Sequence, residues 1–447
     1  MTTLHFAEAM LPQGWARDVR VTIADGVIAR VETGAAVQAG DERHRVALPG
    51  MPNLHSHAFQ RGMAGLAEVA GPSDDSFWTW REVMYRFAER VSPDDLAAIA
   101  AMAYVEMLEG GFTRVGEFHY LHHAPDGAAY ASRAAMSEGI AAAAGETGIG
   151  LTHLPVFYAH AGFGGLPLGA RQKRFGHDLD GFAALLEGAR AACAALPDAV
   201  VGVAPHSLRA VTPEQLAALE TMAPGAPMHI HIAEQVREVE DCVAWSGARP
   251  VEWLLDHAAV DARWCLVHAT HMTAAETDRL AKTGAVAGLC PITEANLGDG
   301  IFPAVDFVAA GGVYGVGSDS NVLIDAGEEL RLLEYGQRLA RRARNLLGRG
   351  GATGDALWRD AVAGGARALG AASAIAPGHA ADIVSLAADH PAFVAREGAA
   401  LADAVVFARG AIDRVWRRGA AVVQAGRHVA RAGVERRYAA TLAALLA

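Results

Sequence analysis

Val46-Ala-Leu-Pro-Gly-Met-Pro-Asn-Leu-His-Ser-His57, continued by Ala58-Phe-Gln-Arg61, decides how the rest of this chain is read. Val46-Ala47-Leu48 reads as a strand, with Pro49-Gly50 and Met51-Pro52 as a kinked connection into further extended backbone. Side chains in extended backbone alternate faces, so His55 and His57 share one face and Ser56 points the other way. Two neutral imidazoles on one face suit zinc or a similar divalent ion. Two buried histidines can equally bind backbone or water and do nothing else, so the reading depends on what stands downstream.

The 447 residues exceed an ordinary single core but suit a barrel of alternating strands and helices with an appended module. Hydrophobic residues are 52% and charged residues 20% of the chain, a globular composition. A formal net charge of −12, with no long basic run, argues against nucleic acid and anionic membranes as partners. An anionic substrate would then need local arginines. Cys193, Cys242, Cys265 and Cys290 lack metal-finger or redox spacing, and no leader-like segment opens the chain. Reduced cysteines and a cytoplasmic location are the expectation. No apolar run approaches the roughly 20 residues of a spanning helix. On frequency alone a homodimer is a candidate assembly.

Val19 to Val31 alternates on both sides of Asp25-Gly26, a type I′ hairpin signal. From Ser92-Pro93-Asp94-Asp95, a capped helix start, helices and strands alternate. Strands are expected at 112–118, 149–157, 199–205, 227–232, 263–268, 284–289 and 312–317, with helices between them near 92–110, 127–145, 179–195 and 213–222. This α/β pattern predicts a (β/α)₈ TIM-like barrel over 48–371. After helices near 326–346 and 354–369, strand-like runs return at Asp382–Leu386, Ala404–Phe407, Arg414–Trp416 and Ala421–Gln424. Paired with the N-terminal hairpin they predict a small flanking β-sandwich domain from both chain ends, 1–47 and 372–430, before a helix within 431–447. The glycine-rich segment 158–178, with Arg171, Lys173 and Arg174, reads as a long loop over the site, a candidate lid.

In parallel barrels the chemistry sits where strands end. The first barrel strand ends in His55 and His57, Pro227-Met-His-Ile-His-Ile offers His231, Cys265-Leu-Val-His offers His268, and Gly315-Val-Gly-Ser-Asp offers Asp319. Taken singly, His268 could satisfy a carbonyl and Asp319 could cap a helix. Together they form one rim. With that set, the chain resembles the amidohydrolase superfamily over nearly its whole length. In two-metal members a carboxylated lysine commonly bridges the ions from the fourth strand. Val201-Gly-Val-Ala-Pro-His206 offers none, and Lys173 and Lys282 fall in a loop and a helix. The resemblance therefore favours the mononuclear deaminase branch. It implies one divalent ion per chain, Zn²⁺ with Fe²⁺ or Mn²⁺ as alternatives, held by His55, His57, His231 and Asp319. It also implies Glu234 as general acid/base and His268 and Asp319 as further catalytic groups. The bland alternative for Glu234 is a salt bridge to Arg237 or another surface arginine.

Closer motifs are Asn53 to Arg61, Phe77-Trp-Thr-Trp-Arg81, Gly116-Glu-Phe-His-Tyr120, Pro205-His-Ser-Leu-Arg209 and Cys290-Pro-Ile-Thr-Glu-Ala-Asn-Leu-Gly-Asp299. They resemble a deaminase group whose substrate is a linear amidine bearing two carboxylates. By that resemblance Gln60, Arg81, Tyr120, His206 and Arg209 bind substrate, and guanidinium groups suit carboxylates through paired charge-assisted hydrogen bonds. Arg81, among Trp78, Trp80, Tyr85 and Phe87, could instead belong to an amphipathic helix packed on the barrel, and Gln60 could bind loop backbone. Ser320 is a candidate for orienting Asp319, while Glu294 and Asn296 are assigned loop shape and no chemistry. Rival readings are a deaminase of cyclic amidines such as purines or pyrimidines, a binuclear amide hydrolase, and a noncatalytic scaffold.

Overall fold

Asp25 and Gly26 both adopt left-handed backbone, φ +53° and +80°, as a type I′ hairpin requires. The computed structural model describes residues 2–70 and 76–447. The turn joins β2 (Gly14–Ala24) to β3 (Val27–Glu32), after β1 (Thr2–Leu11) and before β4 (Glu42–Pro49). Nine strand segments follow: β5 (Met51–Ser56), β6 (Phe112–His119), β7 (Gly150–Phe157), β8 (Val200–Val201), β9 (Ala204–Pro205), β10 (Met228–Ile232), β11 (Trp264–His268), β12 (Val286–Leu289) and β13 (Val313–Val316). The chain end adds β14 (Ile383–Leu386), β15 (Ile412–Arg417), β16 (Ala420–Gln424) and β17 (Arg427–His428).

The strands of both chain ends pair in one sheet, in the order β17-β16-β15-β14-β4-β1-β2-β3. Its seam is β4, parallel to β1 and antiparallel to β14. The barrel forms from two parallel runs, β5-β6-β7-β8 with β9 also on β7, and β10-β11-β12-β13. Bridges at Val203–Met228 and Ser207–His231 join the runs on one side, and Ser56–Asp319 joins them on the other. The result is a closed (β/α)₈ barrel. Leu54, Cys265, Val267, Val286, Ala368 and Leu369 share one buried cluster. Arg417 fastens the end sheet to the barrel, pairing with Asp382 beside it and with Asp198 at 2.8 Å while donating to the Gly148 carbonyl.

Several expectations change. Ala404–Phe407 is the end of a helix, Ala399–Phe407, and not a strand. Its β-branched residues lose to context, because Leu401 and Val405, Ala402 and Val406 form buried i, i+4 pairs against neighbouring helices. The helix expected from 127 begins at Ala135, after a turn in which Asp126 accepts from the Ala128 N–H. The strand expected over 199–205 breaks at Gly202, where a side chain would meet Leu154 and the Pro227 carbonyl. Segment 158–178 is pinned: the Arg174 guanidinium donates to the carbonyls of Ala88, Val91 and His123, and Arg171 pairs with Glu82 and Glu89. All of those partners except His123 lie on or just after the helix Phe77–Ala88, so the segment clasps that helix.

Helix Thr353–Ala368 meets β13 and β5 through bare backbone. A side chain on Gly364 would overlap the Tyr314 carbonyl, and one on Gly365 would crowd Pro52. Gly364→Ala is expected to destabilise the fold by about 2–4 kcal/mol, read from urea or thermal unfolding.

Candidate functional site

The barrel closes at His55, His57 and Asp319, three of the candidate site residues. His57 N–H donates to the Asp319 carbonyl and Asp319 N–H to the His55 carbonyl, both at 2.9 Å. Asp319 sits at φ +43°, a left-handed turn that swings its carboxylate back over β5. The turn is held by residues to which the sequence reading assigned no role. Ser318 N–H donates to Asn53 Oδ1 at 3.0 Å, and Asn321 Nδ2 donates to Ser56 Oγ and to the His57 and Asp319 carbonyls at 3.0–3.1 Å. All are buried. Ser320 does not orient Asp319, since its hydroxyl pairs with Thr293 Oγ1 at 2.9 Å.

His55, His57 and His231 bring one ring nitrogen each within 4.8 Å of the others. Nε2 of His55 lies 3.2 Å from that of His57 and 3.1 Å from that of His231. Asp319 Oδ1 stands 3.5 Å from His55 Nε2 and 3.3 Å from His57 Nε2. The Nδ1 atoms of His57 and His231 donate to the carbonyls of Phe118 and His206, at 2.8 and 3.0 Å, which leaves their Nε2 lone pairs aimed inward. A proton on His55 could satisfy one of these lone pairs at a time. A divalent cation satisfies all of them with the carboxylate, so the donor set fits a metal of three nitrogens and one oxygen. Burial pushes His55 down to about 3 despite Asp319, and it also lowers His57 and His231, so the rings are neutral donors. The imidazoles in turn hold the Asp319 carboxyl below its ordinary range, against its burial. A second close group, His268, Cys290 and Asp319, contains a thiol pushed well up by burial beside carboxylates, which makes it a poor ligand.

His268 ends β11 at φ +67° with Nε2 facing Asp319 at 3.8 Å and Glu234 at 4.0 Å. Its Nδ1 donates to Glu294 Oε1 at 3.2 Å. Burial alone would lower this ring, yet Glu234, Glu294 and Asp319 hold it up to about 10. Glu294, assigned loop shape from sequence, therefore has a direct hold on a site histidine. Asn296 binds Glu68 on the exposed side. Glu234 is buried and makes no pair with Arg237, which faces Asp241 instead. Its backbone N–H donates to Glu238 Oε2 at 3.1 Å. Burial pushes its carboxyl up to about 7, with His268 opposing and Glu238 adding to the rise.

The cavity over these groups is lined by His57, Gln60, Phe77, Trp80, Tyr120, His206, His231, Glu234, His268 and Asp319, among others. Gln60 Nε2 donates to the Tyr120 hydroxyl at 2.9 Å, and its carbonyl oxygen is buried without a partner. Arg81 and Arg209 do not form the wall. Both stand beside Trp78, next to Phe77, with guanidinium carbons 4.7 and 5.8 Å from the indole centroid. Their positive charges add to burial in holding His206 neutral. A wider depression of about 640 Å³ lined by Asp325, Arg331, Trp358 and Arg409 carries no convergent ligand group among the described residues.

Residues 46–422 match the model of the Amidohydrolase family. Residues 1–45 match a model described as Formimidoylglutamate deiminase HutF, N-terminal domain. The formimidoylglutamate deiminase of Pseudomonas aeruginosa is 50% identical over 455 residues, spanning 100% of this chain and 100% of that protein. A solved amidohydrolase from Brucella melitensis superposes with a TM-score of 0.98 at 55% identity, covering 100% of both chains. An adenosine deaminase from Xanthomonas campestris with bound zinc superposes with a TM-score of 0.81 at 21% identity, over 100% of this chain and 98% of that one, a likeness of fold.

Asn321→Ala removes the amide that holds the Asp319 turn to β5. It is expected to weaken divalent-metal affinity by about 10–100-fold, measured by competition against a chelating dye.

Proposed function

The chain belongs to the Amidohydrolase family, and on that premise we propose that it hydrolyses N-formimidoyl-L-glutamate to N-formyl-L-glutamate and ammonia, in histidine degradation. The observation that carries this reading is a full-length match to a formimidoylglutamate deiminase, joined to a polar cage with two guanidinium groups beside it. It makes the protein a hydrolase of the C–N bond in a linear amidine. Members of the family are metal-dependent, and three imidazoles with one carboxylate suit zinc best. When bound, such an ion supplies positive charge that acidifies water and favours its attack on the formimidoyl carbon.

The remaining work belongs to side chains. Glu234, buried and with its carboxyl raised to about 7, is matched to accept a proton from water and return it to the departing nitrogen. Ammonia leaves only once that nitrogen is protonated, so one group handling both transfers keeps the proton count balanced. His268, kept positive by its carboxylate neighbours, stabilises charge that develops as water adds. Glu294 fixes its ring. Arg81 and Arg209 take the two substrate carboxylates, with Gln60, Tyr120 and His206 completing the pocket. A flat purine or pyrimidine ring has no carboxylate for these guanidinium groups, which disfavours the cyclic-amidine reading.

Ammonia release from formimidoylglutamate by the zinc-loaded protein, set against a panel of cyclic amidines, tests the reading directly. Turnover of a cyclic amidine alone would overturn it. Glu234→Gln is expected to keep its metal and lose about 10²–10⁴-fold in kcat, with metal content measured in parallel. Arg81→Met and Arg209→Met are each expected to raise KM sharply, with about 1.5–3 kcal/mol of binding lost per charged hydrogen-bonded contact. Wild-type KM in both variants would refute the carboxylate assignment.

A further inference from the structure

Three guanidinium groups, and not only the two named above, gather on one indole. Arg81 lies 4.7 Å, Arg237 5.0 Å and Arg209 5.8 Å from the centroid of Trp78. They come from separate segments: the helix Phe77–Ala88, the loop after β9, and the helix Val236–Ser246. Like charges this close repel, and the ring's negative face offsets only part of that repulsion. Among the described residues the three have one ion-pair partner, Asp241, 3.7 Å from Arg237, and both of those side chains are more than half exposed.

Arg237 is also badly placed for stability. It stands in the first turn of its helix, where the macrodipole disfavours a cation. Its local partners are an exposed i, i+4 carboxylate, Asp241, and the Trp78 ring. Glu238 and Glu234 act on Arg209 from the inner side, and the further counter-charge that Arg81 and Arg237 call for is one that a ligand can bring. The chain as a whole carries −12, so an anion meets a repulsive average field and needs a local positive entrance.

We propose that Arg237 is a third substrate-recognition residue, an outer guanidinium that Trp78 holds beside Arg81 and Arg209 to capture the distal carboxylate of a dicarboxylate substrate. The inference rests on the dicarboxylate reading above. Arg237 acts on arrival and orientation. It does not touch the reacting atoms, which sit with Glu234 and His268 inside. Trp78 is the positioning residue, a platform whose loss disperses all three charges.

The test is steady-state kinetics of Arg237→Gln, Arg237→Lys, Trp78→Phe and Trp78→Leu with formimidoylglutamate across ionic strength. Arg237→Gln is expected to lower kcat/KM by about three- to tenfold at low salt, mostly through KM, and to flatten its salt dependence. The deficit should shrink near 0.3 M salt, where screening shortens the reach of a surface charge to about 6 Å. Arg237→Lys should keep the salt slope. Trp78→Phe should hold kcat/KM near wild type, whereas Trp78→Leu should lower it further than Arg237→Gln does. N-formimidoylglycine, with one carboxylate, should lose less than formimidoylglutamate on Arg237→Gln. If Arg237→Gln keeps wild-type kcat/KM and salt slope while the wild type releases ammonia, Arg237 has no such role and the activity stands. A fall confined to kcat, independent of salt, would equally overturn the capture role. If the wild type releases no ammonia from formimidoylglutamate at any salt, the substrate reading falls and takes this inference with it.

Discussion

Two backbone hydrogen bonds between the Asp319 turn and the first barrel strand hold this molecule's chemistry together. They close the barrel, and they do so at the residues that must meet. Gly317 allows the approach, because a side chain there would press on the His55 backbone. The buried amide of Asn321 then ties the turn to Ser56 and His57. A site whose donors lie more than 260 residues apart in sequence is thereby fixed by the same bonds that complete the sheet. Loosening the seam would open fold and cage at once.

The barrel and the gathering of His55, His57, His231 and Asp319 were legible because both follow from simple periods. Alternation along β5 puts His55 and His57 on one face, and parallel strands bring their C-terminal ends to one rim. Polar residues that close several strands then have few ways to avoid each other. Glu294 was not legible as a partner of His268, since its contact arises from how a helix after β12 turns back over β11. Ser320 shows the converse. It neighbours Asp319 in sequence, but the left-handed turn sends its hydroxyl to Thr293. Adjacency along the chain says little about side chains in a tight turn.

Segment 158–178 failed to declare itself for a related reason. Glycine content and lack of period read as a long loop over the site, and they do not disclose that three carbonyls from two other segments satisfy the single Arg174 guanidinium. Such an anchor has no local signature. It matters because the same segment grips the helix that carries Arg81 and Trp78. The electrostatic entrance is thus held in place from outside the barrel, by a loop that contributes nothing to the cage.

Charge is layered through the site in a way that orients a substrate. Inside, the carboxyl groups of Glu234, Glu294 and Asp319 surround His268. Outside, the guanidinium groups around Trp78 leave an excess of positive charge. Formimidoylglutamate is built in the opposite sense, with a basic amidine at one end, one carboxylate on the carbon next to it and a second carboxylate at the far end. Entry with the far carboxylate first would set cation against arginine and anion against Glu234. Entry with the amidine first satisfies both layers, and it delivers the formimidoyl carbon to the side of Glu234 and His268.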